Sequence, residues 1–438
     1  VAYSLHEIPE LVALRHPDSV VRIAPGVDVP VTPRVRSVID TATFRRLQSI
    51  SQLGLVSLVY PGATHTRFEH SLGVYRMALL YLQRLAGDRR FAELVDAPLA
   101  ERFLLAALLH DVGHYPYCHP IEDMQLAGHV QHETLARAAL NTGELAQVIH
   151  TLWATSGDVV ADLLEKRYAT QAEQLVGSLL SSPIDIDKVD YLQRDSHHAG
   201  VPYGNHFDQG RLIGSLCVNE QGNGLALTDK GKTAAELLVF ARYIMFSEVY
   251  WHHAVRSATA MLQRQVWHYA RQGPLSNLML ATDLDFGRQL LAGNTEPALA
   301  DLHQAIWGDK RSLYKRLAQY SLLESPDVYR QVARRPYAWL VECSRRLAHL
   351  LGARETEVLI DAPPVGLEVQ FNVDLWFAKQ QMYRPLGEVS PVVRALAREQ
   401  FDDYVKRVRV FVSPTVRERI ALSPGEVDSL VCEAADFG

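Results

Sequence analysis

The chain has 438 residues, of which 48% are hydrophobic and 21% charged, an ordinary globular composition able to bury a large core. Length alone suggests two or three domains, and a net charge of −6 supplies no global field for collecting nucleic acid. Cys118, Cys217, Cys343 and Cys432 are far apart and show no CxxC spacing, which argues against a zinc-finger or disulfide framework and fits a reducing cytoplasm. No apolar run approaches the ~18 residues of a membrane span, and VAYSLHEIPE lacks the basic-then-apolar pattern of a signal peptide. A soluble cytoplasmic protein is expected, with no membrane partner and no nucleic acid. A small anionic substrate stays compatible, because a local pocket of Arg, Lys and metal overrides the overall sign.

Residues 1–33 mix short apolar runs with Pro and Gly and read as turns or a small hairpin. From Val35 the apolar residues recur at helical spacing, and Pro61-Gly62 breaks the chain. A helix is predicted over 67–86, with Leu72, Val74, Ala78, Leu79 and Leu82 inward, and another over 101–112. The second is nearly continuous in apolar residues from Phe103 to Leu109, hence buried on most sides, and ends at Gly113 and Pro116. Helices follow at about 131–150, 158–166, 170–181 and 184–197. Residues 214–231 alternate around an Asn-Gly turn and predict a hairpin. One long helix is predicted over 232–272, and helices continue to about 350. EVLIDAPP, LEVQFNV and RVRVFVSP read as strands of a smaller α+β region, with a helix at about 390–404.

Two stretches concentrate the chemistry, HTRFEHSLGV at 65–74 and LLHDVGHYPYCH at 108–119. His65, His70, His110, His114, His119, His129 and His132 fall within 68 residues, out of 18 histidines in the chain, a density that packing alone does not explain. Adjacent helical residues point about 100° apart, so His110 and Asp111 share an ion only if it sits between their directions, and a helix end at Gly113 leaves that room. His70 from the neighbouring helix and Asp187 from IDIDKVDYLQRD at 184–195 complete two imidazoles and two carboxylates. Such a set suits one divalent cation, whether Fe, Mn, Zn, Ni or Mg, with positions left for water and a phosphate oxygen. Asp187, Tyr191 and Asp195 share one helix face by their i, i+4, i+8 spacing, with Lys188 beside them. Alone this is a solvated charged face. Beside the metal stretches it reads as a polyphosphate and sugar reader.

The ordered motifs QLGLVSLVYPGATHTRFEHSLGV (52–74), LLHDVGHYPYCH (108–119), HE (132–133) and DIDKVDYLQRDSHHAGV (185–201) resemble the HD-domain phosphohydrolase superfamily. The likeness is to its deoxynucleoside triphosphate triphosphohydrolase branch, which includes bacterial dNTPases and the vertebrate sterile-alpha-motif/HD-domain enzymes. Weaker likeness runs through FARYIMFSEVYWHHAV (240–255) and the tail 389–412. The resemblance implies a mainly α fold: an HD-domain helical core, a short β-hairpin insertion and a smaller C-terminal α+β region. The organisation expected is an N-terminal segment 1–34, an HD domain 35–272, a helical extension 273–350 and the C-terminal region 351–438.

The same resemblance makes His70, His110, Asp111 and Asp187 the metal ligands. His114 and His132 approach the phosphates, where one protonates the leaving oxygen, and Glu133 orients a histidine. His119 lines the pocket, and Arg67, Lys188 and Arg242 contact phosphate. Asp195 accepts from the sugar 3′-hydroxyl above Tyr191, Gln52 and Leu53 lie beside sugar and base, and Tyr250 lies on the base side. The implied reaction is attack of water at the α-phosphorus, giving deoxynucleoside and inorganic triphosphate. Other readings are hydrolysis of a nucleoside monophosphate, another HD phosphodiesterase, or a non-catalytic nucleotide-binding module. A homodimer or homotetramer is implied. Of the positions that read an activating guanine nucleotide in vertebrate enzymes, here Asp40, Arg45 and Gln48, only the Asp matches. Arg34, Arg36, Arg45 and Arg46 suit either a different phosphorylated effector or an interface.

Overall fold

A computed structural model describes residues 4–294, 296–365, 372–397 and 405–437. It is mainly α, with three small sheets. The N-terminal segment forms a helix, Pro9–Arg15, and an antiparallel hairpin of Val20–Ile23 with Val27–Pro30.

Three helices build the centre. Arg67–Leu85 packs against both Ala97–Leu109 and Ile186–Ala199. Leu72, Leu79 and Leu82 face inward on the first, and every residue from Phe103 to Leu109 on the second is fully buried, as the apolar run requires. Each start is fixed by a side-chain oxygen that accepts an otherwise orphaned backbone N–H. Asp96 Oδ1 accepts from Leu99 N at 2.9 Å, and Asp185 Oδ1 from Lys188 N at 2.7 Å.

Several predicted elements are redrawn. The helix expected over 131–150 is two, His132–Leu140 and Gly143–Leu152, parted where Gly143 takes a left-handed φ of 64°. The single helix expected over 232–272 is also broken. Lys232–Ile244 runs into a π-helical turn, Met245–Tyr250, and Trp251 and His252 leave helical geometry before His253–Gln272 begins. Periodicity cannot see this break, because the extra residue per π turn is absorbed without a Pro or Gly.

The supposed helical extension contains a strand, Lys315–Tyr320. It pairs antiparallel with Val408–Val412, which also pairs with Val358–Asp361, so Lys315 and Val358 both face Val412. All five residues of Val408–Val412 are buried, and that non-local pairing overrides local helical preference. Helices Tyr337–Leu350 and Pro424–Ala435 cover the sheet with Val358, Val410 and Leu347 in its core. The hairpin insertion, Leu216–Val218 with Leu225–Thr228, is no isolated hairpin. Asp374–Phe377 adds parallel to its second strand and Met382–Pro385 adds antiparallel beyond, making four strands. Of the LEVQFNV strand expectation, residues 367–371 lie outside the described residues, as do 398–404 of the 390–404 helix, of which Pro391–Ala397 is helical. Among the described residues no helix is long and apolar enough to cross a membrane.

Candidate metal centre and adjoining cavity

The Ala97–Leu109 helix stops at His110, and the chain turns so that His110 and Asp111 aim at a common point. His110 Nε2 lies 3.3 Å from Asp111 Oδ1. Gly113 is needed here for close approach: a Cβ would meet the His132 carbonyl oxygen at 2.1 Å and Ala136 N at 2.4 Å. This brings the His132–Leu140 helix against the loop, with the His114 and His132 rings 4.0 Å apart.

His70 and His110 both turn their Nδ1 atoms backward. His70 Nδ1 donates to Asp190 Oδ2 at 2.9 Å, and His110 Nδ1 to the Ala107 carbonyl at 2.9 Å. The two Nε2 atoms then face each other at 3.2 Å, and Asp187 Oδ1 lies 3.0 Å from His70 Nε2. His70, His110 and Asp187 form one group able to hold a metal ion, and Asp111 adds a second carboxylate at its edge. This donor set fits a divalent cation of borderline softness. The surroundings demand positive charge: burial opposes protonation of His70, but Asp187, Asp190 and Asp111 outweigh it and push its pKa up to about 10. Burial likewise works to raise the Asp111 pKa, yet Arg67, 2.8 Å away, and the surrounding histidines hold it well below the carboxylate range.

Behind His70 runs a buried chain that the motif reading passed over. Asp190 accepts both Arg194 Nε and Nη2 at 2.8 and 2.7 Å, and Arg194 Nη1 bonds Glu69 and the Ala24 carbonyl, each at 2.9 Å. Such partners orient a ligating imidazole and raise its basicity. The available signals were the i, i+4 spacing of Asp190 and Arg194 and a glycine, Gly73, inside a helix. A Cβ at Gly73 would sit 2.1 Å from Asp190 Oδ1.

His114 and His132 are pushed in opposite directions. Burial and the Arg67 guanidinium push His114 well below the ordinary imidazole value. Burial also opposes charge on His132, but Glu122 prevails and raises it. The carboxylate hydrogen-bonded to His132 is Glu122, at 2.9 and 3.0 Å, while Glu133, expected to orient a histidine, has its Oε2 3.5 Å from the same Nδ1. Glu122 precedes the HE pair by ten residues, and only the fold brings it there. His65 and His129 are committed elsewhere, His65 to Asp195 and His129 to the Tyr115 hydroxyl.

The metal-centre residues line a cavity of about 290 Å³. It shares Gln52, Arg67, His119, Asp187 and Tyr191 with a second cavity of about 460 Å³, which Leu53, Lys188, Asp195 and Tyr250 also line. Asp195 is held from both sides: Tyr250 OH donates to Oδ2 at 2.6 Å, and His65 Nε2 lies 2.8 Å from Oδ1. The π-helical turn delivers Tyr250 to this contact. Lys188 Nζ is 2.7 Å from Asp185. Arg242 stands apart: it is buried beneath the Phe246 ring at 5.4 Å and lines neither cavity.

The arginines expected to suit either an effector or an interface are largely engaged. Arg34 pairs with buried Glu10 and with Glu101 beneath Trp153, and Arg36 bonds Ser19. Arg46 donates to the His114 and Met279 carbonyls at 3.0 and 2.9 Å, bracing the metal loop. Arg45 lies 3.8 Å from Asp40, both about half exposed, and Gln48 is exposed.

The HD domain family matches residues 67–180, and the HD associated region matches residues 207–427. An uncharacterized protein of Methanocaldococcus jannaschii is 30% identical over 384 residues, covering 86% of this chain and 76% of that protein. The deoxynucleoside triphosphate triphosphohydrolase SAMHD1 of Gallus gallus is 30% identical over 248 residues, 48% of this chain, and the match spans only 38% of that enzyme. A crystal structure of a hypothetical protein from Aquifex aeolicus superposes with a TM-score of 0.70 at 25% identity, covering 94% of this chain and 100% of that one. The chain belongs to the HD-domain family of metal-dependent phosphohydrolases.

Proposed function

We propose that this chain hydrolyses deoxynucleoside triphosphates to deoxynucleoside and inorganic triphosphate. The observation that carries the reading is the union of two cavities across one wall, metal ligands in the first and the Lys188–Tyr191–Asp195 face in the second. His70, His110, Asp111 and Asp187 would hold the divalent ion. When bound, such an ion lowers the pKa of water and offsets charge on phosphate oxygens.

The chain's own groups supply the rest. Asp195, oriented by Tyr250 and His65, accepts from the sugar hydroxyl, and Tyr191 supports the ring. Leu53 and Gln52 flank sugar and base. Arg67 and Lys188 stabilise phosphate charge as it builds, a term worth most in a site that excludes water. His114 takes a proton from the attacking water, and His132, whose protonated form Glu122 favours, gives one to the departing 5′-oxygen. Two neighbouring groups with pKa values pushed apart mark an acid and base pair. The resemblance to the avian triphosphohydrolase supports the choice of substrate. Cytoplasmic location and assembly as a dimer or tetramer belong to the same reading, and native mass measurement checks the latter.

The deciding experiment incubates the chain with each dNTP and NTP, alone and in pairs, with several divalent metals, and identifies products by phosphorus NMR. Inorganic triphosphate with free deoxynucleoside is expected, and H110A/D111A should lose both metal uptake and hydrolysis. Orthophosphate released from monophosphates, with dNTPs left intact, would replace this reading by a nucleotidase.

A further inference from the structure

Beside the four metal ligands a second set of donor atoms converges. One nitrogen each of His114 and His132 and the sulfur of Cys118 lie within 4.8 Å of one another. His114 and Cys118 are buried, and His132 is partly so.

Two segments build this group. Tyr117 takes a left-handed φ of 56°, and the turn Cys118–Glu122 starts directly after it. Four residues apart, Cys118 and Glu122 share one side of that turn. Cys118 brings its sulfur to the histidines, and Glu122 accepts from His132 Nδ1 at 2.9 Å. His70 and His110 are held through Nδ1 in the same way, by Asp190 and the Ala107 carbonyl. A partner behind one ring nitrogen is what fixes the tautomer of a ligating imidazole and leaves the lone pair on the other. His114 carries an independent sign. Its Nδ1 is buried without a hydrogen-bond partner among the described residues, approaching Asp111 Oδ1 at 3.3 Å without the alignment of a bond. Buried polar atoms left in that state are uncommon.

The donors differ in kind from those of the first centre. Sulfur here takes the place of carboxylate, which favours zinc over magnesium or manganese. Burial and Glu122 push the Cys118 thiol up, so the group suits ions that bind sulfur strongly enough to displace its proton. Zinc bonds of about 2.0 Å to nitrogen and about 2.3 Å to sulfur set ligands about 3.3–3.6 Å apart, a spacing that small side-chain rotations reach. His114 and His132 line the smaller cavity and Cys118 the larger, so an ion reaches the group from the site itself.

We infer that His114, Cys118 and His132 form a second, thiophilic metal site, and that zinc bound there inhibits hydrolysis by withdrawing both imidazoles from proton transfer. Binding exchanges the thiol proton, and any proton on the ligating nitrogens, for the metal, with no change of oxidation state. The inhibition rests on the proton roles proposed above; the binding does not.

Cobalt(II), which substitutes for zinc and gives a thiolate charge-transfer band in the near ultraviolet, is titrated into the metal-free chain and its C118S and E122Q variants. Zinc is titrated calorimetrically, with circular dichroism as the control for folding and C118A as a second variant. The wild type should take two ions and show the band. C118S should lose the band and bind its second zinc at least about 100-fold more weakly, whereas E122Q should keep the band and lose about 10–100-fold in affinity, as when an orienting partner goes. With the first centre filled, a second equivalent of zinc should suppress dNTP turnover in wild type, while C118S, with ordinary basal turnover, should resist it. A band and zinc affinity equal in wild type and C118S overturn the site. A Cys118-dependent band with turnover unaffected by the second ion retains the site but overturns its inhibitory role and the proton roles of His114 and His132. The same band with no turnover of any dNTP retains the metal site and removes the nucleotide reading.

Discussion

Replacing Gly73 by alanine sets two physical effects against each other. Gly73 lies inside the Arg67–Leu85 helix, where helix propensity alone favours alanine by about 1 kcal/mol. Contacts predict the opposite sign. The new Cβ would sit 2.1 Å from Asp190 Oδ1 and 2.2 Å from Arg194 Nη2. Both partners are fully engaged and buried, so neither swings aside cheaply. Breaking a buried ion pair costs about 3–5 kcal/mol, and subtracting the propensity gain leaves a net loss of about 2–4 kcal/mol. Because Asp190 also holds His70 Nδ1, divalent-metal affinity should fall about 10–100-fold, as when an orienting partner of a ligand is lost. Denaturant unfolding of the metal-free protein measures the first effect and calorimetric metal titration the second. A G73A protein at least as stable as wild type and with unchanged metal affinity would refute the argument that this glycine exists for the Asp190–Arg194 pair.

The Glu122–His132 pair predicts a pH signature. The Glu122 pKa is lowered from 4.5 to about 2, its burial outweighed by His132, so its contribution to stability is present above 4.5 and fades as pH falls toward 2. The His132 pKa is raised above 6.5, so its contribution is complete below 6.5 and fades as pH rises through its folded value. In E122Q burial acts unopposed by that partner: the imidazole should titrate at lower pH by NMR, and the alkaline limb of the rate profile should shift the same way. An unmoved titration would place the proton of His132 under another group's control. For Y250F, loss of the 2.6 Å bond to Asp195 removes a contact to a charged acceptor worth about 1.5–3 kcal/mol. The KM for deoxynucleotide should rise with little change in fold by circular dichroism, and an unchanged KM would show that Asp195 is oriented without Tyr250.

Local pattern pointed to residues that the fold brings together as a possible metal group, His70, His110 and Asp187. His70, His110 with Asp111, and Asp187 sit at helix starts and ends that capping residues and Gly113 mark in the sequence, and the continuous apolar run from Phe103 to Leu109 could only be a buried helix. That Asp187, Tyr191 and Asp195 share one side of the Ile186–Ala199 helix was legible for the same reason, since spacing of four residues fixes which side chains share a face.

What the tertiary structure decided depends on residues distant in sequence. Glu122 reaches His132 because a loop folds back, and Asp190 reaches His70 because Gly73 lets two helices touch. Lys315–Tyr320 is a strand only because Val408–Val412 lies beside it, and the hairpin at 216–228 becomes a four-stranded sheet only through Asp374–Phe377. Helical periodicity, capping and motif order are properties of neighbours along the chain, so the sequence alone reveals them. Strand pairing, close backbone approach and the partner of a buried charge are set by which distant segments meet.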